Sequence, residues 1–270
     1  MHLISHSSQP VDTDHAVARL RTTRLAASSK PYVARGSGTG RCSNCRLIAS
    51  HCICGLHPGV ARTHAGVCLI MGDIEALKPT NTGWLVADLV ADTFAFGWSR
   101  TEVDPALLAL LADPQWQPCV VFPGEFVAAG RAVHERLPLP GETDGETDGE
   151  TGKSHARRPL FVLLDGTWSE ARKMFRKSPY LDPLPVLSLN PAHNSTYRLR
   201  RSAHDHHFCT SEVAALCLQL AGEEHTAQLL AAWLDVFAAH YLSVRCHLPL
   251  ERESPAHLRL RALAADPAVG

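Results

Sequence analysis

The chain has 270 residues, 45% of them hydrophobic and 20% charged, with 26 basic against 27 acidic side chains and a formal net charge of −1. That length buries a full core without disulfides as its main support. The charge sum shows none of the basic excess that usually accompanies a nucleic-acid partner, and the longest unbroken apolar run, residues 106–112, is far short of the roughly 20 residues of a membrane-spanning helix.

Residues 1–14 are polar and lack the basic stretch and apolar core of a secretory signal, so they are expected to be a disordered tail. From His15, the positions of Val17, Leu20, Arg21 and Leu25 predict a short amphipathic helix ending near residues 28–31, with Arg19, Arg21 and Arg24 along it. A Gly/Ser linker, RGSGTG, follows. Of the nine cysteines, four crowd into residues 42–54 and the rest are scattered, a distribution unlike a disulfide-built secreted domain. The expectation is a cytoplasmic protein in a reducing compartment.

Cys42, Cys45, Cys52 and Cys54 form the pattern C-x2-C-x6-C-x-C. Two closely spaced pairs of thiolates supply the four soft donors of a closed, structural zinc site. The tight C-x-C half leaves room for His51 or His57 to replace one ligand. Four ordinary buried cysteines, or a redox role for Cys42 and Cys45, are the alternatives.

Next come short, uniformly apolar runs, GVCLIM (66–71), PCVVFP (118–123), PLFVLL (159–164) and PVLSL (185–189). Such runs suit strands buried on both faces of a parallel sheet. Helical stretches around residues 83–91, 106–113 and 169–177 separate them, and this alternation predicts an α/β fold with a mostly parallel sheet. Leu230, Trp233, Leu234, Phe237 and Tyr241 share one face of a final helix, placing them in the core rather than at a cofactor. Residues 141–152, GETDGETDGETG, carry five acids and no base, which marks a solvated insertion rather than a calcium loop.

The strand PLFVLL runs into Asp165, Gly166, Thr167 and Trp168 and then the helix SEARKMFRK. Thr167 and Glu170 have capping-box spacing, so the turn is needed to start the helix. Asp165 is not explained by that cap, and it falls at the carboxyl end of a strand, where open α/β sheets bind ligands. Arg172, Lys173, Arg176 and Lys177 make a basic stripe on this helix, and Arg198, Arg200 and Arg201 form a second basic group. Each alone reads as a solvated face; together near one carboxylate they suit phosphate contacts.

The blocks RCSNCRLIASHCIC, EALKPTNTG, WSRTE, VVFPGE, LLDGTWSEARKMFRKSPYL, YRLRR and CTSEVA together resemble the DTW-domain family, specifically its bacterial tRNA-uridine aminocarboxypropyltransferases. The resemblance implies a SPOUT-like, mostly parallel α/β fold with helices on both faces and a C-terminal knot. It divides the chain into an N-terminal helix and zinc-binding segment (15–62), a catalytic domain (63–246) with an acidic insertion (141–158), and a C-terminal tail (247–270). The implied reaction moves the 3-amino-3-carboxypropyl group of S-adenosylmethionine to N3 of a uridine in the tRNA variable loop, releasing methylthioadenosine. Asp165, Thr167 and Trp168 would form the catalytic centre, Asp165 being the candidate general base with Glu170 and Glu212 behind it. Phe122, Pro123, Gly124, Glu125, Leu164, Thr210, Ser211 and Glu212 would cradle S-adenosylmethionine, though residues 210–212 equally suit a plain helix cap. Lys78, Asn81, Thr82, Arg100 and the two basic groups would meet tRNA or the amino-acid carboxylate.

One departure stands out: where the family commonly has Arg after the Thr-Gly pair, this chain has Trp84, so a charged group is missing there or gives way to stacking on a base. The same residues would also serve an S-adenosylmethionine-dependent RNA methyltransferase, or a non-catalytic zinc-bearing RNA-binding protein. The expected partner is tRNA, with no membrane and no obligate protein partner indicated. Setting aside the five acids of the repeat moves the formal charge from −1 to +4, so the near-neutral total averages an acidic flap with a basic face.

Overall fold

The computed structural model describes residues 14–29, 40–137, 157–189 and 208–265. Among these, six strands form one sheet: β1 (Gly66–Met71), β2 (Thr93–Gly97), β3 (Trp116–Val121), β4 (Val133–His134), β5 (Arg158–Asp165) and β6 (Val186–Leu187). Their order is β2-β1-β5-β3-β6-β4, and every neighbouring pair is parallel. The sheet expected to be mostly parallel is wholly so.

Side chains alternate across a strand, and β1 and β5 divide theirs between two apolar clusters. Val67, Leu69, Met71, Phe161 and Leu163 face one cluster, while Cys68, Ile70, Leu160 and Val162 face the other. The first is covered by α2 (Gly83–Leu89), α5 (Thr210–Leu220) and α6 (Glu224–Cys246), through Trp84, Leu85, Leu218, Trp233 and Phe237. The second is covered by α3 (Pro105–Ala112) and α4 (Trp168–Lys177), through Leu107, Met174 and Phe175. Burial on both faces is what makes the central strands read as continuous apolar runs.

The N-terminal helix α1 (Ala16–Ala26) forms where the spacing predicts it and is capped by the His15 side chain. Two of its arginines, however, serve the fold, while exposed Arg19 pairs locally. Arg21 donates to the carbonyls of Ala76 and Leu77, Arg24 pairs with Asp73, and Arg19 pairs with Asp14. Helix α6 matches a membrane-crossing helix by length and composition, but Leu230, Trp233, Val236 and Phe237 are spent inside the first cluster. Leu234 is buried and Tyr241 half-buried, as the periodicity requires.

Residues 247–270, expected to be a tail, contain a further helix, α7 (Pro255–Ala265), whose His257 and Leu260 are buried. The expected C-terminal knot turns on the path of residues 190–207, which lies outside the described residues, as does the acidic repeat.

Candidate active site and cysteine cluster

In a parallel sheet the loops after the strand ends gather along one edge. Met71 lies opposite Asp165, so the loops leaving β1 and β5 share a corner. Asp165 is only 2% exposed. Asn81 Nδ2 donates to its Oδ2 at 2.7 Å, and Thr210 Oγ1 donates to its Oδ1 at 2.6 Å. Asn81 is itself buried, and its Oδ1 accepts the Trp84 N–H at 2.9 Å, which caps the start of α2. Thr82 Oγ1 accepts the Ser211 N–H at 3.4 Å. One carboxylate therefore gathers the end of β5, the start of α2 and the start of α5. A Cβ at Gly83 would stand 2.7 Å from Asp165 Oδ2, so that approach requires glycine.

The two carboxylates expected behind Asp165, Glu170 and Glu212, are occupied by backbone caps. Glu170 accepts from the Thr167 N–H at 2.8 Å and from the Thr167 hydroxyl at 2.6 Å, completing the capping box of α4. Glu212 accepts from the Cys209 N–H at 2.8 Å at the start of α5. Thr167, expected in the catalytic centre, thus spends its hydroxyl on the cap. Trp168 stacks on buried Phe122 at 5.5 Å, and Phe122 in turn stacks on Phe175 at 4.2 Å. Gly124 N–H donates to Ser188 Oγ at 2.9 Å, tying the loop after β3 to the end of β6. Pro123 and Glu125 are exposed and Leu164 is half-buried.

Of the residues expected to meet RNA, Arg172, Lys173, Arg176 and Lys177 are all exposed on α4. Arg172 lies over the Phe126 ring at 4.9 Å and Lys173 over Trp98 at 5.4 Å. Arg100 is exposed beyond β2. Asn81 is not on this surface but inside the corner, and Lys78 pairs with the fully buried Glu75. Arg198, Arg200 and Arg201 lie outside the described residues. Trp84 does not offer a face to a base: it is buried, edge-on to His15 at 4.6 Å and covered by the Arg46 guanidinium at 4.5 Å.

Sequence reasoning does not single out Glu75, Ser188, Phe126 or Arg46. Ser188 leaves a signal, as the one polar residue inside PVLSL. Glu75 opens the block EALKPTNTG, yet nothing in its spacing shows that it is buried. Phe126 is 37% exposed beside Trp168, at 5.2 Å between ring centres, an approach of two loops that spacing does not encode.

The four cysteine sulfurs all lie within 4.8 Å of one another. Cys42 and Cys54 are 3.6 Å apart, as are Cys45 and Cys52. Tetrahedral zinc with bonds of about 2.3 Å sets its sulfurs about 3.8 Å apart, whereas a disulfide needs about 2.05 Å. The donor set therefore fits one metal ion. Hydrogen bonding from Cys54 holds the Cys45 thiol down at about 5, and Cys54 is pushed up in turn. A divalent cation would take the place of the shared protons. His51 and His57 are not needed as ligands; they bond to Ser243 and to the Asp88 carbonyl.

The DTW-domain family model matches residues 39–242. The chain belongs to the DTW-domain family. The matched span holds the four cysteines, all six strands and the corner at Asp165, and it leaves out α1 and α7 of this DTW protein. The family includes tRNA aminocarboxypropyltransferases. No solved structure matches the chain.

Proposed function

We propose that this DTW protein transfers the 3-amino-3-carboxypropyl group of S-adenosylmethionine to N3 of a uridine in tRNA. The observation that carries the reading is the family match over residues 39–242, which contains the whole sheet edge just described. When bound, S-adenosylmethionine supplies a sulfonium-activated carbon, which becomes bonded to N3 as the carbon–sulfur bond breaks and neutral methylthioadenosine leaves.

The residues present fit that donor. Ser211 Oγ is buried and has no hydrogen-bond partner among the described residues. It stands at the start of α5, where helix N–H groups favour an anion. An unpartnered buried hydroxyl costs about 1–3 kcal/mol, and a bound carboxylate at that point would relieve it. The stacked rings of Phe122 and Trp168 give a rigid aromatic wall for a nucleoside. Gly124 and Ser188 fix the loop that carries Phe122.

Uridine N3–H must give up its proton for N3 to attack. Among Asp165, Glu170 and Glu212, Asp165 is the one not occupied in capping a helix, and we assign it that proton. Orientation contributes the rest, since the donor carbon is already activated. The exposed cations of α4 would hold phosphates and set the register of the RNA. The cysteine cluster would hold zinc in a structural role, its four sulfurs leaving no open position. Nucleoside analysis of tRNA from cells with and without the gene tests the reading. Loss of an aminocarboxypropyl uridine in the deletion strain, restored by the wild-type gene and not by Asp165→Asn, is the expected result. Unchanged tRNA would contradict it.

A further inference from the structure

Arg46 is a buried arginine placed between the cysteine cluster and the site. It follows Cys45 directly and has a left-handed backbone, with φ of 65°, a conformation that non-glycine residues adopt only when their surroundings hold them there. Here the turn holds it: the Arg46 N–H donates to the Cys42 carbonyl at 3.0 Å, and the Cys42 N–H donates to the Leu47 carbonyl at 2.8 Å. The Arg46 side chain leaves this turn and crosses into the fold, where it is 3% exposed. Its Nη1 donates to the carbonyls of Pro79 at 3.1 Å and Asn81 at 2.8 Å. The guanidinium lies over the Trp84 ring at 4.5 Å and over the Phe237 ring at 5.2 Å.

Those two carbonyls belong to the loop that delivers Asn81 to Asp165. The path is continuous: the cysteine turn sets Arg46, Arg46 holds the backbone of residues 79–81, and the Asn81 side chain grips Asp165 and caps α2. Both bonds leave one nitrogen, Nη1, of a flat guanidinium that also lies over two aromatic rings; lysine keeps the charge, but its compact ammonium cannot cover the rings in the same way. We infer that Arg46 is a positioning residue through which the metal-bound cysteine turn holds the Asn81 loop in place for the reaction. The consequence for catalysis rests on the reading proposed above; the mechanical link does not.

The test uses full-length, zinc-loaded protein and reads amide hydrogen exchange at residues 81–85 against residues 160–164 of β5. S-adenosylmethionine binding is measured by calorimetry as a second readout. Arg46→Ala is expected to speed exchange at 81–85 about tenfold, the loss of one charge-assisted bond pair, while β5 and the zinc content stay unchanged. Arg46→Lys is expected to give the same local loosening. Removing zinc with a chelator should loosen residues 81–85 in the wild type and add little in Arg46→Ala, because both act on one path. Unchanged exchange at 81–85 in Arg46→Ala, full rescue by lysine, or independent effects of the two changes would each overturn the inference. If zinc removal also unfolds β5, the two arginine variants decide the question alone. Failure of every form to bind S-adenosylmethionine would count against the proposed reaction and leave the exchange result to judge Arg46.

Discussion

Gly83 has no room for a side chain, and Asp165 is the reason. A Cβ there would sit 2.7 Å from the Asp165 carboxylate, so Gly83→Ala must push apart the segments that this carboxylate joins. We predict a loss of about 1–3 kcal/mol from overpacking, measured as a lowered midpoint in urea unfolding. Asp165→Asn is a milder change for the fold. Asn81 can still donate to the remaining oxygen, and the Thr210 hydroxyl can rotate to accept from the new amide. The variant should therefore stay folded, with unfolding within about 1.5 kcal/mol of the wild type, yet lose the proton acceptor and about 100-fold or more of kcat. A folded Asp165→Asn protein with full kcat would remove Asp165 from the chemistry. The sequence marks Asp165 by its place at a strand end and marks Gly83 by nothing beyond its neighbour Thr82. The reason for Gly83 is an approach across 82 positions of chain, which no local pattern records.

Among the elements, α4 has two separable faces. Ala171, Met174 and Phe175 are buried, while Arg172, Lys173, Arg176 and Lys177 point outward. Replacing the four cations with glutamine should leave thermal stability nearly unchanged and weaken tRNA binding. The slope of log K against log salt should fall by about one for every phosphate that a removed cation had neutralised. Equal affinity and slope would place RNA elsewhere. The C-terminal helices carry a different property. His240 Nδ1 meets the His51 carbonyl at 2.9 Å, His240 Nε2 meets His257 Nε2 at 2.9 Å, and Ser254 Oγ meets His257 Nδ1 at 2.7 Å. With both rings neutral, one tautomer pattern satisfies the chain: His240 donates to the carbonyl and accepts from His257, which accepts from Ser254. Burial holds both imidazoles below their ordinary range. In the unfolded chain they take up protons near about pH 6.5, and in the folded chain they resist. Their stabilising contribution is thus complete above that pH and is lost as the pH falls below it. Thermal unfolding followed from pH 7.5 to 5.5 should show a smaller decline in His257→Gln than in the wild type; equal declines would exclude the pair.

These elements also show how far local patterns carry. Strands β1, β3 and β5 announce themselves because burial on both faces leaves a continuous apolar run, and α4 because burial on one helical face leaves a period. β2 does not: it is an edge strand, TFAFG, with four of its five residues only partly buried or exposed. β4 has two exposed residues and is too short for any period. α7 looks like a tail because its packing on α6 depends on His257 and Leu260 rather than on a continuous apolar face.

For the whole molecule, the charge sum of −1 conceals how the basic residues are used. Of the three arginines of α1, Arg21 and Arg24 are used in docking the helix, while Arg19 is exposed. Among the described residues α4 gathers four exposed cations on one helix, while Arg62, Arg100, Arg136 and Arg157 are exposed elsewhere. The four-cysteine turn is equally part of the whole, since Cys45, Leu47 and Ile53 enter the same apolar cluster as Trp233 and Phe237. Protein purified in reductant should carry about one zinc per chain by metal analysis, and none after Cys45→Ser and Cys54→Ser together. Donor labelling reads the identity of the transferred group directly. Purified protein would be incubated with unmodified tRNA and S-adenosylmethionine labelled either in the carboxyl carbon or in the methyl carbon. Carboxyl label in a tRNA uridine, with the methyl label leaving in methylthioadenosine, is the predicted result; methyl label in the tRNA without carboxyl label would contradict it.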